Sequence, residues 1–237
     1  MKKLLSVSIA ALAFAAVAEY RPITVGVTTI TPTTQNTIIP VPYTSIGSSE
    51  KVSVHDLVKA ANLPTDTMLY YFDGTNYKAW KKNLSGAWTT PGVAATIGSA
   101  TVTAGSDEIN VSVGAALWVA FPDDTELDKQ SIVVYGSPAA VTNSTIVANK
   151  INLLANPTTA IVSGSALAGK LSPDVKDTII PIGSVVGTYV YGGDTYGWVY
   201  TEPGKRPVTK ASLPSIGQYQ GFWYISKTVG ANKTIAW

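Results

Sequence analysis

The sequence predicts an all-β protein made of two duplicated β-sandwich or barrel-like halves, with an extra N-terminal strand and one short helix at about residues 54–61. Three observations carry this. Apolar residues alternate with a period of two over short runs, Gly, Pro, Asn and Asp separate those runs, and one order of landmarks occurs twice. The composition agrees: Thr, Val, Ile, Tyr and Gly are abundant and charged residues make up only 14% of the chain, as suits strands joined by tight turns.

The first 18 residues read as a secretory signal peptide. Lys2 and Lys3 form a basic start, an apolar run extends from Leu4 to Phe14, and small residues stand at Ala16 and Ala18, with cleavage expected after Ala18. The run is short for a membrane span, so no span is expected in the mature chain, and the expected location is secreted, extracellular or at the cell surface. Without Lys2 and Lys3 the remaining 15 basic residues equal the 15 acidic ones. Formal neutrality, with no basic cluster beyond Lys81-Lys82 and Lys205-Arg206, argues against nucleic acid or an anionic membrane as partner. It also removes a common barrier to self-association. The chain has no cysteine, so disulfides contribute nothing to its stability.

Residues 19–35, EYRPITVGVTTITPTTQ, form an N-terminal extension with no evident counterpart before the second repeat. Pro22 and Pro32 bracket a strand that sets Ile23, Val25 and Val27 on one face and includes Ile30. Such a strand pairs within its own chain or completes the sheet of a neighbouring subunit as a donor strand.

The first half spans 36–136. NTIIPVPYTSI is followed by SVHDLVKAAN, where Ser53 can cap a helix, Asp56 stands at the third helical position, and Val54, Leu57, Val58 and Ala61 share a face. NLPTD, the aromatic hairpin YYFDGTNYKAW and the strand GAALWVAF complete it. Residues 137–146 read as a polar linker. The second half, 147–237, runs through NLLANPTTAIV, then SALAGK as at most one helical turn, LSPD, the hairpin YVYGGDTYGW and finally QGFWYIS. This alignment matches Pro42 with Pro157, Tyr77 with Tyr196, and Trp118 with Trp223. Aromatics facing each other across a hairpin contribute up to about 1 kcal/mol per pair, so the repeated hairpins read as scaffold.

No constellation of residues points to catalysis, a cofactor or a metal, and no enzyme is expected. The single histidine, His55, falls in the first turn of the expected helix and reads as a solvated surface side chain in place of a triad base, and zinc sites want several His or Cys ligands. The acidic run PDDTELD (Asp123, Asp124, Glu126, Asp128) lacks the glycine and terminal Glu of a calcium loop and reads as a solvated turn; a hydrolase could rest on those carboxylates alone. Asn83, Asn110, Asn143 and Asn232 each begin an Asn-X-Ser/Thr triplet, a frequent pattern in a Thr-rich chain.

Two functional expectations follow. The first is a secreted structural protein, a homopolymeric subunit of an extracellular filament or surface layer joined by exchange of the strand holding Ile23, Val25, Val27 and Ile30. The second is a carbohydrate-binding or adhesive module in which Trp80, Trp88, Trp198 and Trp237 stack on surface glycans.

Overall fold

The computed structural model describes residues 26–32, 34–41, 43–44, 52–53, 63–73, 75–89, 95–97, 100–104, 110–111, 114–138, 143–182, 187–218 and 220–237. The signal peptide, Ile23, Val25, Pro42, His55 and the expected helix at 54–61 lie outside these residues. The described chain is all-β, as the alternation predicts. Its first part contains β1 (Gly26–Ile30), β2 (Asn36–Pro40), β3 (Tyr43–Thr44), β4 (Val52–Ser53), β5 (Met68–Phe72), β6 (Tyr77–Lys82), β7 (Trp88–Thr89), β8 (Ala95–Ile97), β9 (Ala100–Ala104), β10 (Asn110–Val111), β11 (Ala116–Ala120) and β12 (Ile132–Pro138). Its second part contains β13 (Asn143–Ile146), β14 (Ile151–Ala155), the helix α1 (Gly164–Leu171), β15 (Thr178–Pro181), β16 (Thr188–Tyr191), β17 (Trp198–Thr201), β18 (Gly221–Ile225) and β19 (Lys233–Ala236).

The two halves repeat one topology. In the first, a large sheet runs β2-β11-β5-β6 with β7 beside β6, and a small sheet pairs β1 with β12. In the second, the large sheet runs β14-β18-β15-β16-β17 and the small sheet pairs β13 with β19. Seven strands therefore correspond one to one. The first half adds β8 and β9, the latter parallel to β6, as well as β3 on the free end of β12 and a separate β4–β10 pair.

Registers fix the correspondence residue by residue. Trp118 stands opposite Ile38 and Tyr70, and Trp223 stands opposite Leu153 and Ile180, so the expected match of the two tryptophans holds. The hairpin match does not. The Asp73 turn joins β5 to β6, whereas the Gly192–Gly197 turn joins β16 to β17, one strand further along. Backbone bonds identify the true partners: Asp66 N–H to Lys82 O and Lys82 N–H to Thr67 O in the first half, Lys176 N–H to Tyr191 O and Tyr191 N–H to Asp177 O in the second. Asp66 and Lys176 even share a left-handed conformation, at φ 68° and 75°. Lys82 thus corresponds to Tyr191, Trp88 to Trp198 and Trp80 to Tyr189, while Tyr77, fully buried, does not correspond to the exposed Tyr196. Turn-forming residues between aromatic strand ends suit any tight hairpin, and the chain uses that chemistry at two different hairpins.

The segment 137–146 is more than a linker: Asn143–Ile146 form β13, the counterpart of β1. The N-terminal extension therefore has a partner in the second half after all, hidden because NSTI shows little apolar alternation. SALAGK also exceeds one turn. It lies in an eight-residue helix capped by Ser163, whose Oγ accepts a hydrogen bond from Ala166 N–H at 3.3 Å, with Leu167 and Leu171 buried one turn apart.

Three cores order the layers. Ile30, Ile132 and Val134 of the first small sheet pack on Ile39, Leu69, Trp80, Leu117 and Val119 of the first large sheet. Ile146 and Ile235, with α1, pack on Leu154, Ile179, Tyr189, Trp198 and Tyr224. The opposite faces of the two large sheets meet in a seam of Ile38, Tyr77, Ala79, Ala116, Leu153 and Ala155, joined by Tyr70, Trp118 and Trp223. Successive residues of β11 thus serve different cores, Leu117 and Val119 one, Ala116 and Trp118 the other. Gly221 lets the sheets approach, since a Cβ there would collide with the Ile38 side chain.

Candidate functional site

The N-terminal strand is the first candidate. β1 runs antiparallel to β12 from Gly26 opposite Gly136 to Ile30 opposite Ile132, within the same chain. It forms one edge of the order β1-β12-β3, leaving its other side without a ladder among the described residues. The inward face differs from the expected one. Thr28 and Ile30 point into the protein, and Val27 is 62% exposed. A threonine is tolerated inside because the Thr28 and Tyr43 hydroxyls hydrogen-bond at 2.6 Å, and Ile30 anchors the register in the first core.

The link from β1 to β2 is short: Pro32 is buried, and Gln35 holds its end. Gln35 donates through Nε2 to the carbonyls of Asp123 and Thr125, and its own carbonyl accepts from Phe121 N–H. On either side of that anchor, Thr29, Thr31, Thr34 and Thr37 border a cavity of about 220 Å³ that Gln218 and Gln220 also line. The packing beneath the connection is therefore incomplete.

The tryptophans expected to stack on sugars sit elsewhere. Trp80 and Trp88 belong to the first core and Trp198 to the second, with exposures of 0%, 9% and 6%. Trp237 is half-buried, its ring edge-on to Phe222 and its Nε1 donating to Ser144 Oγ at 2.6 Å. Rings buried in a core, as Trp80, Trp88 and Trp198 are, offer no platform to a pyranose. Hydrophobic transfer explains the placement of Trp80, Trp88 and Trp198, which stand on strands whose inward positions need large apolar volume. The aromatics that do gather are Tyr70, Trp118, Trp223 and Tyr77 in the seam, with Trp118 stacked on Tyr70 at 4.5 Å and edge-on to Trp223 at 5.4 Å.

Titratable chemistry is sparse. Asp123, Asp124, Glu126 and Asp128 occupy the turn before and within a 3-10 segment, Leu127–Lys129, where Glu126 pairs with Lys129 in solvent. Asp177 is fully buried but fully employed: it accepts from Tyr224 Oη and Lys227 N–H, each at 2.6 Å, and from Asp174 N–H at 2.9 Å. Burial, together with the Asp177 carboxylate, raises the Tyr224 hydroxyl well above the ordinary tyrosine range. No group of three or more His, Cys, Asp or Glu among the described residues is placed to hold a metal ion. No helix among them is long and apolar enough to cross a membrane.

No protein-family model, curated protein or solved structure matches this chain.

Proposed function

We propose that this chain is an architectural subunit of an extracellular assembly, joined to its neighbours by exchange of β1. The observation that carries the reading is the position of β1: a five-residue strand at a sheet edge, whose ladder among the described residues is formed with β12 alone. The same ladder is available to β1 of another copy, with the same register and the same buried Ile30. The connection from 31 to 35 spans at most about 17 Å when extended, which bounds how far an exchanged strand could travel from its own half. The cavity beneath it lowers the cost of that release. An exchange that runs head to tail makes an open filament; one that closes makes a ring or dimer.

Cysteine pairing tests this directly. Thr29 and Val133 are opposite each other on the outward side of the ladder. A Thr29→Cys chain mixed with a Val133→Cys chain, concentrated and oxidised, is expected to yield a disulfide-linked species holding one of each. If the double variant closes its disulfide only within one chain, and the mixture never links at any concentration, strand exchange is wrong.

A further inference from the structure

The seam between the halves opens at both ends, and the two openings occupy corresponding places. One is the 220 Å³ cavity that Ile38, Ile182 and Gly221 help to line. The other, of about 540 Å³, is lined at the corresponding positions by Leu153, Phe72 and Ala116. The second has diverged in size and in chemistry. An aromatic ring, Phe72, stands where the first has Ile182, and Asp73 follows it at the rim.

We propose that this larger cleft binds a neutral pyranose sugar, a site separate from the β1 ladder and independent of the assembly reading. The polar groups that reach it are held in place. Asp73 Oδ1 accepts Thr75 N–H at 2.9 Å and Asn76 N–H at 2.7 Å, which fixes the carboxylate; Oδ2 lies 3.7 Å from Lys78 Nζ, beyond hydrogen-bond range, and keeps its acceptor capacity. Across the cleft, Asn232 Oδ1 accepts Ala148 N–H at 3.0 Å, orienting an amide whose NH₂ makes no hydrogen bond to the described residues. Asn143 and Thr145 project from β13 as exposed polar side chains on the same wall.

The floor is rigid and shared by both halves. Buried Ser144 donates to Gly114 O and accepts from Trp237 Nε1–H, and Gly114, at φ +86°, leaves no room for a Cβ against the Asn143 carbonyl. A pre-formed opening at the meeting of two halves, with an apolar patch beside a few fixed polar groups, is the usual form of a small-molecule site, and the volume falls in the usual range. Charge selects the ligand class. Among the described residues, one carboxylate, Asp73, and no cationic side chain line the cleft, Lys78 pairing with that carboxylate at 3.7 Å without joining the lining; no cation there is placed to receive a phosphate or a sugar acid. One carboxylate is too few for a divalent ion to be held by charge. Fixed donors and acceptors beside a phenyl ring match the hydroxyls and the C–H face of a neutral sugar.

The test is a titration of ¹⁵N-labelled full chain with cellobiose, chitobiose and mannobiose, and with glucose 6-phosphate as the anionic comparison. Saturable shifts are expected for at least one disaccharide, with Kd on the order of 1 mM, confined to 71–75, 114–116, 143–147 and 232. Two variants sharpen the result. Thr145→Trp, at an exposed strand position, fills the cleft and is expected to abolish binding without changing the fold, read from the remaining amide shifts. Asn232→Ala is expected to weaken binding about tenfold or more. Absence of saturation for all three disaccharides, tighter binding of glucose 6-phosphate, or undiminished binding by Thr145→Trp would each overturn the proposal.

Discussion

The two small sheets, β1–β12 and β13–β19, share a topology and differ in how they are held. In the second, each strand is tied from outside its own ladder. Ser144 bonds to Gly114 and Trp237; Lys170 Nζ donates to Ala236 O at 2.6 Å; Lys233 Nζ reaches Ser172 O at 2.7 Å and Asp174 at 3.0 Å. In the first, the Thr28–Tyr43 bond is the one side-chain hydrogen bond made by β1 among the described residues. External ties, more than the ladder itself, distinguish the two copies of the repeated strand, and the copy with fewer of them opens more readily.

That contrast can be broken most forcefully at the cores. Trp80 and Tyr189 are counterparts, and replacing Trp80 with Ala is expected to destabilise by about 3–5 kcal/mol. Because the seam binds the halves into one packed unit, the loss is expected to lower a single thermal transition, followed by circular dichroism. Two separated transitions, only one of them shifted, would show that the halves melt on their own.

The seam itself offers a middle-sized test. Gly221→Ala drives a methyl group into Ile38 and is expected to cost about 1–3 kcal/mol by overpacking. Ile38→Val in the same chain should return part of that, and urea unfolding of the single and double variants measures the coupling. At the counterpart position in the first half, Ala116 already carries that methyl.

The smallest effect concerns a polar pair that only the second half possesses. Tyr224 and Asp177 correspond to Val119 and Thr67. Tyr224→Phe removes one donor to the buried carboxylate and is expected to cost about 1–2 kcal/mol at neutral pH. The sign of its pH dependence follows from the raised hydroxyl. Stability from the neutral phenol is full below the ordinary tyrosine value of about 10 and is lost as pH rises above it. The variant should therefore lose less stability than the parent between neutral pH and pH 11, measured by denaturant midpoint.

The alternating runs and the repeated order of elements made the all-β class and the duplication legible. The alignment inside the repeat was legible only in part. Trp118 and Trp223 are found by pattern because each sits in an uninterrupted apolar run, GAALWVAF and QGFWYIS. Trp88 and Trp198 are not, because the loops before them, NLSGA and GGDTYG, share turn chemistry but no spacing. The strand β13 was hidden for a different reason. Its buried positions are Ser144 and Ile146, and the serine is inside only because two distant groups satisfy it. The cleft was equally invisible, since it is assembled from residues up to 161 positions apart, from Tyr71 to Asn232. Burial of Trp80, Trp88 and Trp198 likewise depends on which face of a strand the register turns inward, and composition says nothing of that.

Trp118 and Trp223 are counterparts, and they touch each other. Contact between equivalent residues is the mark of a two-fold axis passing close by, the geometry by which an isologous dimer recognises itself. The seam has the form of a homodimer interface carried inside one polypeptide: Ile38 meets Gly221 on one side of the axis, as Leu153 and Ala116 share the other. Fusion of two such subunits makes their association independent of concentration. It also frees each side to diverge, so that one end of the former interface keeps a small threonine-lined void while the other widens into a cleft.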